Sequence, residues 1–184
     1  YYCRDAKLKH QKEDEKCRAR VCMEIEEELL EMYSDETLVT KPALLDQRGG
    51  HKYSLAAVSL IDSIANDKRD VQIVNIKNNG TVDFMDDDDV LEIAAVIGKD
   101  GAEPVAIDKV DNRHIIGLMR VVKAYEKYTV EAATTGSEAA AINALLVHPL
   151  VGDWEKAHKC FEEMKWAHKA YLPEFFPNDV VIKC

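Results

Sequence analysis

Two stretches of this 184-residue sequence carry side chains able to grip a charged ligand. The first is Arg18-Ala19-Arg20. A guanidinium is planar, permanently charged and presents its N–H donors in a fixed fork, which suits an anionic or polyhydroxylated ligand. Arginines on helices are usually just solvated, so the pair alone does not establish a site. The second stretch is Arg48-Gly49-Gly50-His51-Lys52-Tyr53-Ser54. Adjacent glycines let the backbone bend or approach closely. Basic and aromatic groups then gather at a helix start, whose free N–H groups favour anions. A phosphorylated ligand could dock there; a flexible loop is the alternative.

Other candidates reduce to structural readings. Asp86 to Asp89 is a run of four carboxylates. A calcium loop needs alternating oxygen ligands over about twelve residues and a distal Glu, so a solvated turn leading into a strand is expected instead. Gly98-Lys99-Asp100-Gly101 has the Gly-x-x-Gly form of a nucleic-acid-binding KH loop, but it joins strands rather than helices and reads as a plain β-turn. No Gly-x-Gly-x-x-Gly, Walker loop or Gly-x-Ser-x-Gly elbow occurs. The five cysteines (3, 17, 22, 160 and 184) include no Cys-x-x-Cys pair, which predicts reduced thiols in a cytoplasmic protein. The six histidines form no His-x-x-x-His pair, so zinc ligation by this chain is not expected. No catalytic, cofactor-binding or metal-ligating residue is therefore assigned.

The elements that would position these groups follow from periodicity. Val21, Ile25, Leu29, Met32 and Tyr33 predict an amphipathic helix from about Glu13 to Tyr33. On it Arg18 borders the apolar stripe, and Arg20 points about 200° away. Pro42 can open a helical turn through Leu45. Ser54 to Ala65 reads as a helix with the stripe Ala57, Leu60, Ile61 and Ile64. The period then changes. Val71 to Ile76 is a strand, Asn79-Gly80 a hairpin turn, and Thr81 to Phe84 the return strand. Val90 to Ile97 and Pro104 to Ile107 are further strands around the Gly98–Gly101 turn. Past Asn112 the chain is helical: a long helix to Gly136, an Ala-rich one from Ser137 to Val147, and one capped by Asp153 with the stripe Trp154, Ala157, Phe161, Met164 and His168 or Tyr171. Pro173 closes it, and Phe176 to Cys184 could add a strand or stay disordered. Helices, then antiparallel strands, then helices predict an α+β fold, in one domain spanning 1–184.

Lys+Arg number 24 and Asp+Glu 34, a net charge of −10. An acidic chain repels phosphodiester backbones, so nucleic acid is not an expected partner. With no run of about 18 apolar residues, no membrane-spanning helix is expected. The chain opens Tyr1-Tyr2-Cys3 without Met, the expected look of a piece of a longer protein, although maturation cleavage would look the same.

Taken together, the residues resemble the C-terminal half of the 6-phospho-β-glucosidases of glycoside hydrolase family four. The resemblance rests on Tyr1-Tyr2 with Cys17-Arg18-Ala19-Arg20, and on Arg48-Gly49-Gly50 with Tyr53-Ser54. It extends to Val74 to Gly80, Asp88 to Ile93 and Gly101 to Val105, and to Ala144 to Val151 with Ala167 to Pro173. It implies a fold like the C-terminal domain of lactate and malate dehydrogenases, serving substrate binding and assembly, with a Rossmann domain outside this chain.

The resemblance also implies a chemistry outside the two-carboxylate glycosidase scheme. NAD takes hydride from C3 of the sugar, and a tyrosine base removes the acidified C2 proton while Mn2+ steadies the charge. The aglycone is eliminated, water adds, and the ketone is reduced again. By the family pattern the base sits three residues before Tyr1, and the nucleotide loop and metal ligands lie in the absent half. The isolated chain is thus expected to be inactive. Arg18 alone matches a substrate-binding position; Arg48 could help hold the phosphate. The implied partners are a phosphorylated disaccharide or β-glucoside and further copies of the chain, as a homodimer or homotetramer. An oligomerisation module, or an α-glucosidase or galacturonidase branch of the family, are the competing readings. Arg48-Gly49-Gly50 favours the β-glucoside branch.

Overall fold

In the computed structural model, residues 2–49 and 52–177 are described. Gly50, His51, Cys184 and the expected strand beyond Pro177 lie outside the described residues. The described residues gather into two compact units, one of residues 2–49 and 52–76 with 91–106, the other of residues 77–90 with 107–177.

The first unit carries α1 (Arg4–Glu13), α2 (Arg18–Tyr33), α3 (Leu44–Arg48) and α4 (Tyr53–Ala65), then most of β1 (Asp70–Lys77) and β2 (Val90–Gly98), and β3 (Gly101–Pro104). The sheet order is β1-β2-β3, and β2 pairs antiparallel with β3. The architecture is α+β, as the change of period predicts.

Several boundaries differ from expectation for identifiable reasons. The first helix is two: Asp14 leaves α1 in extended conformation and Cys17 precedes α2 in the same region. α1 is polar nearly all round and buries no residue, so it left no stripe to read. β3 starts at Gly101, not Pro104, because the two-residue turn pairs Gly98 with Gly101 and sends the chain straight back. α4 turns Ser63 inward, while Ser54 and Ser59 stay exposed. Ser63 is its one buried residue among those described, and its Oγ accepts a hydrogen bond from Gln72 Nε2 at 2.7 Å. The stripe read from the sequence faces outward, with Ile61 65% exposed.

The second unit holds α5 (Arg113–Thr135), α6 (Glu138–Val147) and α7 (Trp154–Ala167), followed by two short 3-10 turns. Each helix opens on a side-chain cap: Asn112, Ser137 and Asp153 accept backbone N–H groups of the first turn. α5 stops at Gly136, which is left-handed. α6 packs against both α5 and α7. On α7 only Ala157 and Phe161 of the expected stripe are buried; Trp154, Met164 and Tyr171 are exposed.

Residues 78–89 form a closed loop rather than a tight hairpin. Asn79 and Gly80 do take positive φ, 43° and 81°, but Thr81 to Phe84 is not a strand. Asn78 is fully buried (0% exposed) and captures the chain instead. Its amide donates to the carbonyls of Val82, Met85 and Asp86 at 3.0, 3.0 and 3.2 Å, and its oxygen accepts from Val82 N–H at 2.7 Å. The return strand therefore begins only at Val90. The carboxylate run is not uniformly solvated either. Asp86 to Asp88 are exposed, whereas Asp89 is 4% exposed. Lys127 Nζ lies 2.7 Å from Asp86 and 2.8 Å from Asp89, latching the loop to α5.

Asn78→Ala removes the partner of the Met85 carbonyl and of the Val82 N–H, while the carbonyls of Val82 and Asp86 keep bonds from the N–H groups of Met85 and Asp89. At about 1–3 kcal/mol for each unsatisfied group, a loss of roughly 2 kcal/mol or more is expected by urea unfolding. The Lys127 latch has a pH signature. Its hydrogen bond holds the Asp86 carboxyl below the usual range. A depressed folded-state value contributes stability above the unfolded value of about 4, lost as pH falls through the depressed one. Lys127→Met is expected to melt below wild type at pH 7, with the gap narrowing at pH 3.

Candidate functional site

Arg18 is the first residue of α2, and Arg48 is the last of α3. The structure joins them. Arg18 Nη2 donates to the carbonyl of Gln47 at 2.8 Å and to that of Arg48 at 3.1 Å. Carbonyls at a helix end lack partners inside the helix and carry partial negative charge, so a cation is a suitable cap for α3. Arg18 does not line a buried stripe, as its spacing suggested. It is exposed, and backbone oxygens supply its partners. Among the described residues its other guanidinium nitrogens make no hydrogen bond. Arg20 is exposed as well.

Arg48 is held from a second side. Its Nη2 stands 3.5 Å from Glu26 Oε2, about two turns into the facing α2. Gly49 then takes φ 87° and ψ 171°, a conformation that L side chains rarely adopt. Tyr53 and Ser54, at the start of α4, line the same space as Arg48 and Gly49. A cavity of about 350 Å3 opens there beside Arg48, between α2, α3 and the first turn of α4. No described side chain caps the N-terminus of α4.

Sequence reading found both arginine stretches but not their union. The acceptors are backbone oxygens, which carry no residue-type signal. The remaining candidates stay structural. The Gly98–Gly101 segment is a two-residue turn. A second cavity, of about 310 Å3, lies between the 78–89 loop and α5, lined by Arg120, Lys123 and Lys127. Its cations are engaged within the fold: Arg120 Nε donates to Phe84 O at 3.1 Å, Lys123 Nζ to Val90 O at 2.7 Å, and Lys127 bridges Asp86 and Asp89. No three of His, Cys, Asp and Glu stand together to hold a metal among the described residues.

Residues 1–151 match the model of the family 4 glycosyl hydrolase C-terminal domain. The chain is 41% identical to a probable 6-phospho-β-glucosidase of Bacillus subtilis, over 96% of this chain and 40% of that protein. It is 37% identical to a 6-phospho-β-glucosidase of Thermotoga maritima over 94% of this chain. The solved structure of that enzyme, which holds manganese, NAD+ and glucose-6-phosphate, superimposes with a TM-score of 0.82 over 41% of its length. A phospho-α-glucosidase of Clostridium acetobutylicum is 28% identical over 95% of this chain. The chain spans about 40% of the length of these relatives.

Gly49 holds its positive φ directly after Arg48. A Cβ there meets no atom within 4 Å, so Gly49→Ala costs backbone strain alone, about 1–3 kcal/mol. Thermal denaturation is expected to show that loss without the larger penalty of a clash.

Proposed function

Because this chain belongs to glycosyl hydrolase family 4, as its C-terminal domain, we propose that it is the C-terminal half of a 6-phospho-β-glucosidase, with residues 1–184 forming its substrate-binding and assembly domain. The observation that carries this reading is the pair of bonds from Arg18 to the carbonyls of Gln47 and Arg48, across 29 and 30 residues. They bring together two stretches singled out separately for affinity toward an anionic sugar. The higher identity to β-glucosidases, 41% against 28% for the α-glucosidase relative over similar coverage, supports the β branch over the α branch.

NAD and manganese, when bound in such an enzyme, supply reversible oxidation of the sugar and stabilisation of charge beside it. The described residues of this chain do not fit either group: they gather no metal-ligand set, and the sequence carries no glycine-rich nucleotide loop. In this reading those sites are built by the rest of the parent, and the isolated chain has no activity. What the chain contributes is Arg18. Its Nη2 is spent on the α3 carbonyls, which fixes the plane of the guanidinium, and its remaining N–H donors bind the sugar and orient it. Arg48, adjacent through the shared peptide, serves the phosphate.

The reading extends to a cytoplasmic enzyme that assembles as a homodimer or homotetramer. Free thiols at Cys3, Cys17, Cys22 and Cys160 support a reducing compartment. The outward apolar face of α4 supports a buried position in an assembly. Among the described residues no helix is long and apolar enough to cross a membrane.

In the full-length parent, Arg18→Ala removes a charged hydrogen bond worth roughly 1.5–3 kcal/mol, so kcat/KM on a chromogenic 6-phospho-β-glucoside is expected to fall about ten- to a hundredfold. Arg20→Ala is expected to stay close to wild type. A folded Arg18 variant with full kcat/KM, or a sensitive Arg20, would overturn the assignment, and a parent that cleaves only 6-phospho-α-glucosides would overturn the branch.

A further inference from the structure

α4 carries an apolar ridge with nothing packed over it. Leu55, Val58 and Ile61 recur at three-residue steps and are 68%, 64% and 65% exposed. Ile64 beside them is exposed as well, and Ser63 is the residue that turns inward. The helix holds one charged residue, Asp62, which Lys68 and Asn66 meet. A helix this apolar is normally covered. Next to the ridge lies a groove, the cavity beside Arg48: Tyr53 and Ser54 begin α4 and also line that cavity. Its long wall is α2 from Glu26 to Tyr33, with Leu29 buried at the base and Leu30, 64% exposed, on the rim. Its charged groups form one ion pair, Glu26 with Arg48 at 3.5 Å. Ridge and groove match in length. The helix rises about 9 Å from Leu55 to Ile61 and about 10 Å from Glu26 to Tyr33.

We propose that the α4 ridge of one copy of the chain seats in the groove of a second copy, and the second copy's ridge in the groove of the first, about a two-fold axis. This rests on the assembly part of the reading above and specifies its surface. Three observations favour a second copy as the occupant. A two-fold contact requires each protomer to present both halves of the match on one surface. An unrelated partner needs only one half, and here ridge and groove stand side by side. The chain carries a net charge of −10, so two copies repel each other except where charge is absent or paired; the ridge and the groove both meet that condition. The area is also sufficient. The exposed parts of the ridge and of Leu30, Tyr33 and Tyr53 amount to roughly 800 Å2, about what one partner contributes to a standard-size interface.

The test is sedimentation velocity on the full-length parent over a range of concentrations. Val58→Lys puts a charge on the ridge, and Leu30→Glu puts the opposite charge on the groove rim. Both side chains are exposed in the single chain, so neither change disturbs its core. Each variant alone is expected to raise the dimer dissociation constant about a hundredfold or more. An equimolar mixture of the two is expected to associate again. A mixed pair sets the new lysine against the new glutamate at one contact and keeps the native residues at the other. Variants that stay assembled overturn the proposal, as does a mixture that stays apart. Variants that stay assembled but melt below wild type would assign the face to the rest of the parent and overturn it too. A wild-type parent that is monomeric at every concentration would bring down the assembly reading itself, an outcome distinct from an oligomer that ignores both substitutions.

Discussion

Peptide groups in loops and at helix ends still need hydrogen-bond partners, and two side chains meet that need at the decisive points of this chain. Asn78, buried in the 78–89 loop, satisfies three carbonyls and one N–H with a single amide. Arg18 satisfies two carbonyls at the end of α3. Amide and guanidinium suit the task because each presents several donors in a fixed plane. The loop conformation in one unit, and the placement of the arginine cluster in the other, follow from these contacts.

The acidic charge of the chain is handled locally. Asp62 is met by Lys68 and Asn66 a few residues on. Glu103 on β3 takes both nitrogens of the Arg69 fork at 3.0 and 2.7 Å, which holds its carboxyl below the usual range. Such exposed pairs contribute little each, about 0–1 kcal/mol. The exception in kind is Asp89, whose burial makes Lys127 a structural partner rather than a surface ornament. Neighbouring acids in the same run differ this much because three point to water and one does not.

Apolar surface is distributed against the usual rule. α4 places Ser63 inward and leaves Leu55, Val58 and Ile61 exposed, and β1 adds Val71 and Ile73. These side chains form an exposed apolar face in a chain that spans about 40% of its relatives' length. The serines of α4 are not wasted: Gln72 reaches them from β1. The inner side of the helix is polar because a strand side chain needs acceptors there.

What the sequence determined by itself is local. Asn112, Ser137 and Asp153 announce three helices, and each caps one within four residues of itself. The Gly98–Gly101 turn and the β-branched run before it announce the sheet, and the resemblance at Arg18 and Arg48 to Ser54 pointed to the family. Tertiary structure decided the rest. It chose which face of α4 turns inward, replaced the return strand at Thr81 with a loop, and buried Asp89 beside a lysine on α5. It also joined Arg18 to a peptide 30 residues away. Caps and turns are written in residue types a few positions apart. A side chain's bond to a distant carbonyl depends on how elements pack, and the carbonyl is the same for every residue.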